Sequence, residues 1–224
     1  MTFSLAARDP ATGAFGIVVS SSSPAVAARC AHVRAGVGAV ASQNVTNPVL
    51  GTVGLDALAG GASADQAVEA MVAADSYPDY RQLTAVSATG ETAAHSGART
   101  LGTHTAVFGD GAVVAGNLLK SEEVAAVMLD GYLTSSAEAF EARLLDGFAA
   151  AVRAGGEEGP VRSAGVVVAE DVAWNVTDLR VDDSDDPVAD LRRLWELWAP
   201  QKADYRIRGL DPTLAPSYGV PGDL

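Results

Sequence analysis

Alternating apolar and small or polar residues at the start of the chain predict a β-hairpin over residues 1–23. Phe3, Leu5 and Ala7 occupy every second position, which is the period of a half-buried strand. The sequence DPATG follows and has turn chemistry, because proline fixes φ while glycine can adopt a positive φ. An apolar run rich in β-branched residues over 15–19 then predicts the second strand.

The same pattern predicts blocks of strands separated by pairs of helices. Further strands are predicted over residues 36–43, 81–87, 92–96, 105–108, 112–115, 163–169 and 176–181. Helices are predicted over residues 49–59, 63–74, 121–130, 135–154 and 187–198. Hairpins between helix pairs favour an α+β fold over a doubly wound parallel sheet. A sandwich of two sheets, covered by helices on each side, would bury this much apolar strand.

Capping residues mark several of these helix ends. Asn47 before Pro48 predicts an N-cap with proline in the first helical position. Ser63 and Gln66 have the spacing of a capping box. Gly131 is expected to separate the helices predicted over 121–130 and 135–154.

Length and composition indicate one domain with a short appendage. The chain has 224 residues, of which 48% are hydrophobic, so a sizeable core is possible. We expect the domain to cover residues 1–199. The tail over 200–224 carries proline and glycine, lacks periodicity and is too short for its own core. We expect it to pack on the body or on a second subunit of a homo-oligomer, through Trp195, Trp198, Tyr205 and Tyr218.

Charge and cysteine content narrow the possible partners and location. The net charge of −13 argues against a nucleic-acid-binding surface and against attraction to anionic lipid. No apolar run reaches the ~18 residues of a membrane span, and Arg8 and Asp9 interrupt any signal peptide. Cys30 is the single cysteine, so no disulfide can form within the chain. A cytoplasmic protein with a small-molecule substrate is expected.

No pattern predicts a metal or cofactor. His32, His95 and His104 lack the spacing of helical metal ligands. The aspartates within 182–186 are interpreted as a solvated acidic turn before a helix. The glycines of the GVG sequence are not followed by a helix, so a dinucleotide site is not indicated.

Thr2 is the first candidate for catalysis. Its side chain is small, so methionine aminopeptidase is expected to remove Met1. One residue would then carry both a hydroxyl and a free α-amine, whose pKa of ~7.7–8.0 suits a base near neutral pH. The alternative is that Met-Thr is a common start without catalytic meaning.

Polar residues also gather where predicted strands end. Ser20 to Ser23 follow the second strand, and Gln43, Asn44, Thr46 and Asn47 follow the third. These side chains could bind a substrate. They could equally be polar residues exposed to solvent where a strand ends, or they could cap the next helix.

Four stretches together resemble one known family: MTFSLAARDPATGAFG, GVGAVASQNVTNPVLG, GNLL and DLRVDDSDDPVADLRRLWELW. Over about residues 1–200 the chain resembles the domain-of-unknown-function 1028 family, grouped with the N-terminal nucleophile (Ntn) hydrolases. The resemblance implies a four-layer αββα sandwich with two mainly antiparallel sheets between helical layers. It also implies hydrolysis of an amide bond by the first residue.

Carried over residue by residue, the resemblance makes Thr2 the nucleophile. Asn117 is the first candidate donor to the oxyanion, and Gln43 is the next. Ser4 shares the facing of Thr2, being two residues further along the strand. The residues expected to bind substrate are Ser4, Ser21, Ser22, Arg29, Asn44, Asn47 and Arg162.

Ntn hydrolases usually place a cation near the nucleophile. The lysines of this chain, Lys120 and Lys202, lie on no early strand. Arg29, Arg8 or Arg162 would have to supply the positive charge.

Two hypotheses follow. The first is a hydrolase of a small-molecule amide (C–N) bond with Thr2 as nucleophile. The second is a catalytically silent protein that uses the same cleft for binding or serves as an oligomeric scaffold, which the missing early lysine favours.

Overall fold

The computed structural model describes residues 1–219 of the chain. The strands are β1 (Thr2–Arg8), β2 (Phe15–Ser21), β3 (Ala31–Arg34), β4 (Gly38–Asn44), β5 (Arg81–Ser87), β6 (Thr92–Ser96), β7 (Thr105–Gly109), β8 (Ala112–Asn117), β9 (Ser163–Ala169) and β10 (Asn175–Val181). The α-helices are α1 (Ala27–Cys30), α2 (Val49–Ala59), α3 (Ala64–Ala74), α4 (Glu123–Leu133), α5 (Phe140–Arg153), α6 (Pro187–Trp198) and α7 (Lys202–Leu210). Short 3-10 helices cover Pro78–Tyr80 and Pro212–Leu214.

Two antiparallel sheets lie between two helical layers. The larger sheet has the strand order β10-β9-β2-β1-β8-β7, and the smaller has β3-β4-β5-β6. One core cluster joins the larger sheet to α4, α5 and α6, a second lies between the sheets, and a third joins the smaller sheet to α2 and α3. The predicted α+β fold, a four-layer αββα sandwich, is therefore confirmed.

Strand β1 shows how the sequence pattern produces these layers. Phe3, Leu5 and Ala7 point to the helical layer, whereas Ala6 belongs to the core between the sheets. Side chains alternate along a strand, so Thr2 and Ser4 share the inter-sheet face with Ala6. This inter-sheet core consists mainly of small and β-branched side chains, which lets the two sheets approach closely.

Close packing of α4 against α5 explains why one predicted helix boundary is wrong. Gly131 lies inside α4 and does not end it. A Cβ there would lie 2.7 Å from the Ala150 Cβ, and one on Gly147 would lie 2.7 Å from the Met128 carbonyl oxygen. Both glycines therefore allow α4 and α5 to pack closely, because neither has a side chain at the contact. The helix predicted to start at residue 135 begins at Phe140.

Two predicted helix caps have different outcomes. Ser63 and Gln66 form the expected capping box, with both reciprocal hydrogen bonds present. The cap of α2 is shifted by one residue, since Pro48 occupies the N-cap position. Asn47 still accepts a hydrogen bond from the Val49 N–H through Oδ1, at 3.3 Å.

The tail contains a helix that the sequence analysis did not predict, because the tail sequence lacks periodicity. Helix α7 forms within it, and Lys202 Nζ donates to Glu141 (2.9 Å) and Glu170 (2.6 Å) on the body. The rings of Tyr205 and Trp198 lie 5.2 Å apart. The described part of the tail thus contacts the body, and its last residues, 220–224, lie outside the described residues.

Within residues 1–219, no helix has the length and hydropathy needed to cross a bilayer. The same residues contain no group of three His, Cys, Asp or Glu side chains that could hold a metal ion.

Candidate active site

The first residues of β1 are held between two neighbouring strands. Thr2 pairs with Asn117 of β8, and Phe3 pairs with Ser20 of β2. Only 4% of the Thr2 surface is exposed. The antiparallel register therefore brings the start of β1, the end of β2 and the end of β8 to one end of the sandwich.

A chain of hydroxyl groups leads from Thr2 to a positive charge. Thr2 Oγ1 lies 3.4 Å from Ser21 Oγ, and Ser21 Oγ lies 2.8 Å from Ser23 Oγ. Arg29 Nη2 donates to Ser23 Oγ at 2.6 Å. Arg29 Nη1 also donates to the Ala25 carbonyl at 2.9 Å, which fixes the guanidinium. Of the three arginines considered from the sequence, Arg29 is the one that this network connects to Thr2.

Met1 covers the Thr2 hydroxyl. Thr2 Oγ1 donates to the Met1 carbonyl oxygen at 2.6 Å, and Ser21 Oγ donates to the same oxygen. While Met1 is present, the nitrogen of Thr2 belongs to a peptide bond and cannot act as a base. Removal of Met1 stays a prediction.

A glutamine pair bridges the two sheets beside this hydroxyl chain. Ser4 Oγ donates to Gln43 Oε1 at 2.7 Å. Gln43 Nε2 donates to Gln82 Oε1 at 2.9 Å and to the Ala115 carbonyl at 3.0 Å. Both hydrogens of the Gln43 amide are thus used, so the expected role of Gln43 as an oxyanion donor has to be corrected. Gln43 and Ser4 instead connect β4 to the larger sheet.

Gln82 is a residue of the site that the sequence interpretation missed. Its Nε2 donates to the Gly116 carbonyl at 3.0 Å, and its Oε1 accepts from Asn117 Nδ2 at 3.1 Å. Gln82 is fully buried in β5, where Leu83 faces the helices. The sequence signal for this role was a glutamine within a strand that is buried on both of its faces.

Asn117 has unused hydrogen-bonding capacity. It is 0% exposed, and its Oδ1 has no hydrogen-bond partner among residues 1–219. Its Nδ2 carries two hydrogens and donates to Gln82 Oε1. Because a buried polar atom without a partner is costly, such an amide next to Thr2 in the sheet suits contact with a ligand.

Glu157 is a buried carboxylate to which the sequence interpretation gave no role. It is 3% exposed, and its Oε2 accepts from the Ser22 N–H at 3.1 Å. Its Oε1 has no hydrogen-bond partner within the described chain. Burial raises the pKa of the Glu157 carboxyl to about 7, while the Met1 α-ammonium group and the hydrogen bonds from Ser22 lower it.

The loop around Glu157 is held by backbone contacts. Gly155 and Gly156 have φ values of +116° and +56°, which favour glycine. The Lys120 N–H donates to the Gly156 carbonyl at 3.0 Å, and the Glu158 N–H donates to the Leu118 carbonyl at 2.9 Å. Two glycines before an acidic residue were the sequence signal for this arrangement.

Asn44 and Asn47, both expected to bind substrate, fix loops instead. Asn44 has a φ of +73°, and its Nδ2 donates to the Tyr80 carbonyl at 2.7 Å. Its Oδ1 accepts from the Leu101 N–H at 3.2 Å. The side chain of Asn47 accepts from the first turn of α2. Their amides are therefore engaged in the fold.

The guanidinium groups of Arg162 and Arg8 make no contact with the Thr2 hydroxyl network, although the Arg162 backbone N–H donates to the Ser21 carbonyl at 2.9 Å. The Arg162 guanidinium pairs with Asp183 at 3.0 Å and with Asp185. Arg8 lies at the opposite end of β1 from Thr2. Neither supplies the positive charge that the resemblance requires.

Comparisons with known proteins agree on a family. Residues 2–191 match the model of a family of unknown function, DUF1028. The crystal structure of protein SPO2555 from Silicibacter pomeroyi, titled with the same family, is 29% identical, with a TM-score of 0.84 over 91% of this chain and 89% of that chain. No curated protein matches this chain.

Two solved structures of Anbu (ancestral beta-subunit) are more distant. The protein from Yersinia bercovieri is 11% identical, with a TM-score of 0.41 over 89% of this chain and 95% of that chain. A Gly-1 mutant from Hyphomicrobium sp. strain MC1 is 13% identical, with a TM-score of 0.41 over 93% of this chain and 100% of that chain. At this level of similarity, neither carries an inference for this chain.

The substitution Gln82→Ala should destabilise the fold strongly. It removes the acceptor of two buried amides, Gln43 and Asn117, and the donor to the Gly116 carbonyl. We expect a loss of about 2–4 kcal/mol in the free energy of unfolding, measured by chemical denaturation. The matched control is Gln201→Ala, an exposed amide, expected to change stability by less than about 0.5 kcal/mol. Equal effects of the two substitutions would contradict the role of Gln82.

Glu157→Gln should change how stability depends on pH. The pKa of Glu157 is raised from 4.5 to about 7 by burial, so the folded state holds this proton more tightly than the unfolded state. That contribution is complete below pH 4.5 and is lost as pH rises through about 7.

We therefore expect the stability of the Glu157→Gln variant, relative to the parent protein, to rise between about pH 5 and about pH 8. The gain should be on the order of 1–3 kcal/mol in the free energy of unfolding. Denaturation across this pH range measures it, with the exposed neighbour as the control variant, Glu158→Gln. If the difference in stability between the variant and the parent does not vary with pH, the pKa of Glu157 is not raised by burial.

Proposed function

This chain belongs to the family of unknown function DUF1028, and we propose that it is an N-terminal nucleophile hydrolase of a small-molecule amide. Thr2 is the nucleophile once Met1 has been removed. The observation that carries the proposal is the buried hydroxyl of Thr2, joined by Ser21 and Ser23 to the Arg29 guanidinium. The confirmed αββα sandwich is the architecture that the resemblance to Ntn hydrolases implies.

Removal of Met1 would change two groups at once. It would release the α-amine of Thr2, with a pKa of ~7.7–8.0, as a base next to the hydroxyl of the same residue. It would also end the hydrogen bond that ties Thr2 Oγ1 to the Met1 carbonyl. Base and nucleophile would then share one residue, held by the pairing of β1 with β2 and β8.

The reaction is acyl transfer to Thr2 followed by hydrolysis. The α-amine takes the proton of Thr2 Oγ1 while the oxygen attacks the amide carbon of the substrate. The C–N bond of the tetrahedral adduct then breaks. The leaving amine of the substrate receives the proton from the α-amine of Thr2, and an ester remains on Thr2. Water then cleaves the ester, giving the carboxylic acid and restoring the hydroxyl.

Asn117 is the proposed side-chain donor to the oxyanion of the adduct. It is buried, it pairs with Thr2 across β1 and β8, and Gln82 holds its amide from the opposite sheet. One N–H of Asn117 Nδ2 donates to Gln82, so the second N–H, whose direction that bond fixes, would stabilise developing negative charge without reorganisation. Gln43 supports the Gln82 amide and makes no contact with the reacting atoms in this proposal.

Arg29 is proposed as a positioning residue. Its charge reaches the Thr2 hydroxyl through Ser23 and Ser21, and a nearby positive charge favours the neutral, basic form of an amine. Arg29 would thus take the place of the lysine that Ntn hydrolases usually have.

The second candidate function is a catalytically silent binding or scaffold protein of the same fold. The bonds that Thr2 and Ser21 make to the Met1 carbonyl favour it, because they occupy the proposed nucleophile. In that case Met1 would stay on the natural protein.

Thr2→Ala should abolish turnover. We expect ammonia release from a panel of small primary amides to fall about 10³-fold or more, because no other group replaces the nucleophile. Thr2→Ser should keep partial activity, and the exposed Thr52→Ala should keep full activity. Turnover by Thr2→Ala within a factor of about two would refute the role of Thr2.

Intact mass of the natively expressed protein is measured before these assays, because the reaction requires a form that begins at Thr2. A protein that keeps Met1 fully would support the scaffold alternative over the hydrolase.

Arg29→Gln should shift the pH profile of kcat/KM to the alkaline side. Losing the positive charge lets the α-amine of Thr2 hold its proton more tightly, by about 0.5–1 pH unit. Arg29→Lys should restore the profile in part, and Arg193→Gln, which removes an exposed charge, should leave it unchanged. A merely structural role would lower activity at every pH without moving the profile.

A further inference from the structure

We propose that the site accepts α-aminoacyl groups, and that Glu157 binds the ammonium group of the substrate. This inference rests on the proposed hydrolase function and names its substrate class. The substrates are amides of α-amino acids with a free amino group, including the first residue of a short peptide.

Met1 serves as a template for this substrate. Its carbonyl oxygen accepts hydrogen bonds from Thr2 Oγ1 at 2.6 Å and from Ser21 Oγ. An acyl group held as an ester on Thr2 Oγ1 would have its carbonyl carbon within a few ångströms of the present Met1 carbonyl carbon, because Oγ1 and N of Thr2 are separated by two bonded atoms. A methionyl group in the site thus resembles a bound aminoacyl group.

Glu157 lies beside this template, because its carboxylate accepts a hydrogen bond from the N–H of Ser22 and the preceding residue, Ser21, donates one to the Met1 carbonyl. Electrostatic attraction between the Met1 α-ammonium and the Glu157 carboxylate lowers the pKa of that carboxyl against the effect of burial. Glu157 Oε2 accepts from the Ser22 N–H, whereas the buried Oε1 has no hydrogen-bond partner in the described part of the chain. Once Met1 has left, this buried carboxylate would lose the positive charge of the Met1 α-ammonium. A substrate ammonium would supply one.

The side chain of the template lies against Gly159. A Cβ at this position would approach the Met1 Cε to 2.9 Å, so a residue with a side chain would push the methionine away. The absence of a side chain at Gly159 therefore leaves room for an unbranched apolar side chain on the acyl group. Glu157 and Gly159 lie two residues apart in the loop between α5 and β9, so one loop would contact both the charge and the side chain of the substrate.

The covalent step is the same as in the proposed reaction. Thr2 Oγ1 attacks the carbonyl carbon of the α-aminoacyl amide, the C–N bond breaks, and ammonia or an amine leaves with the proton from Oγ1. Water hydrolyses the ester to the free amino acid. Glu157 binds the ammonium throughout and takes no part in proton transfer.

The test uses a matched pair of probes, L-methioninamide and N-acetyl-L-methioninamide, which differ in the positive charge. Binding is measured by calorimetry at about pH 7, where an α-amine with a pKa of ~7.7–8.0 is mostly protonated, on forms shown by mass to lack Met1 and carrying Thr2→Ala so that turnover does not interfere. We expect L-methioninamide to bind at least about tenfold more tightly than the acetylated probe. Adding Glu157→Gln should remove this preference, because it should weaken the binding of L-methioninamide and leave the binding of the acetylated probe unchanged. Adding Glu158→Gln, which changes an exposed neighbour, should leave both affinities unchanged.

Three results would overturn the inference: equal affinity for both probes, no binding of either, or an equal loss for both on Glu157→Gln. The last would mean that Glu157 serves the protein's own amine.

Turnover separates the inference from the proposed function. Selective binding of L-methioninamide without ammonia release by the Thr2 form would keep the ammonium site and reject the hydrolase. Thr2-dependent hydrolysis of the acetylated probe at an equal rate would keep the hydrolase and reject the ammonium site.

Discussion

The position of β1 in the middle of the six-stranded sheet is the constraint on which the candidate site depends. The first residues of a chain are usually loose unless they are tied down. Here β1 pairs along its length with β2 on one edge and β8 on the other. Thr2, almost at the chain terminus, is therefore as fixed as a residue of the core. A nucleophile needs this rigidity, because small displacements of a reacting group are costly in rate.

Rigidity at that end of the sandwich also comes from polar groups buried between the sheets. The amides of Gln43 and Gln82 reach from the smaller sheet to carbonyl groups of β8, and Gln82 holds Asn117. The side-chain amides of Gln43 and Gln82 both donate to and accept from protein groups. Away from this end, the inter-sheet layer is built mainly of apolar side chains. The polar network thus occurs where Thr2, Ser4 and Asn117 meet.

Opposite charges approach Thr2 from two directions. Arg29 lies in α1 and its guanidinium contacts the site through Ser23, while Glu157 lies in the loop before β9. A cation near an amine favours its neutral form, and a buried carboxylate favours a bound ammonium. The two charges would therefore divide the site into a part that activates the nucleophile and a part that holds the substrate.

The sequence by itself determined the strands of the first hairpin and the α+β class, because alternation and turn chemistry are local properties of the chain. It also provided Thr2 as the candidate nucleophile, through its position after Met1 and the family resemblance. It did not determine the continuous helix through Gly131, the roles of Gln43 and Gln82, or the burial of Glu157. Each of these depends on a contact between residues far apart in the chain: α5 against α4, β5 against β8, and the loop at Glu157 against Ser22. Only the tertiary structure decided them, because burial and hydrogen-bond partners exist only after the layers have packed.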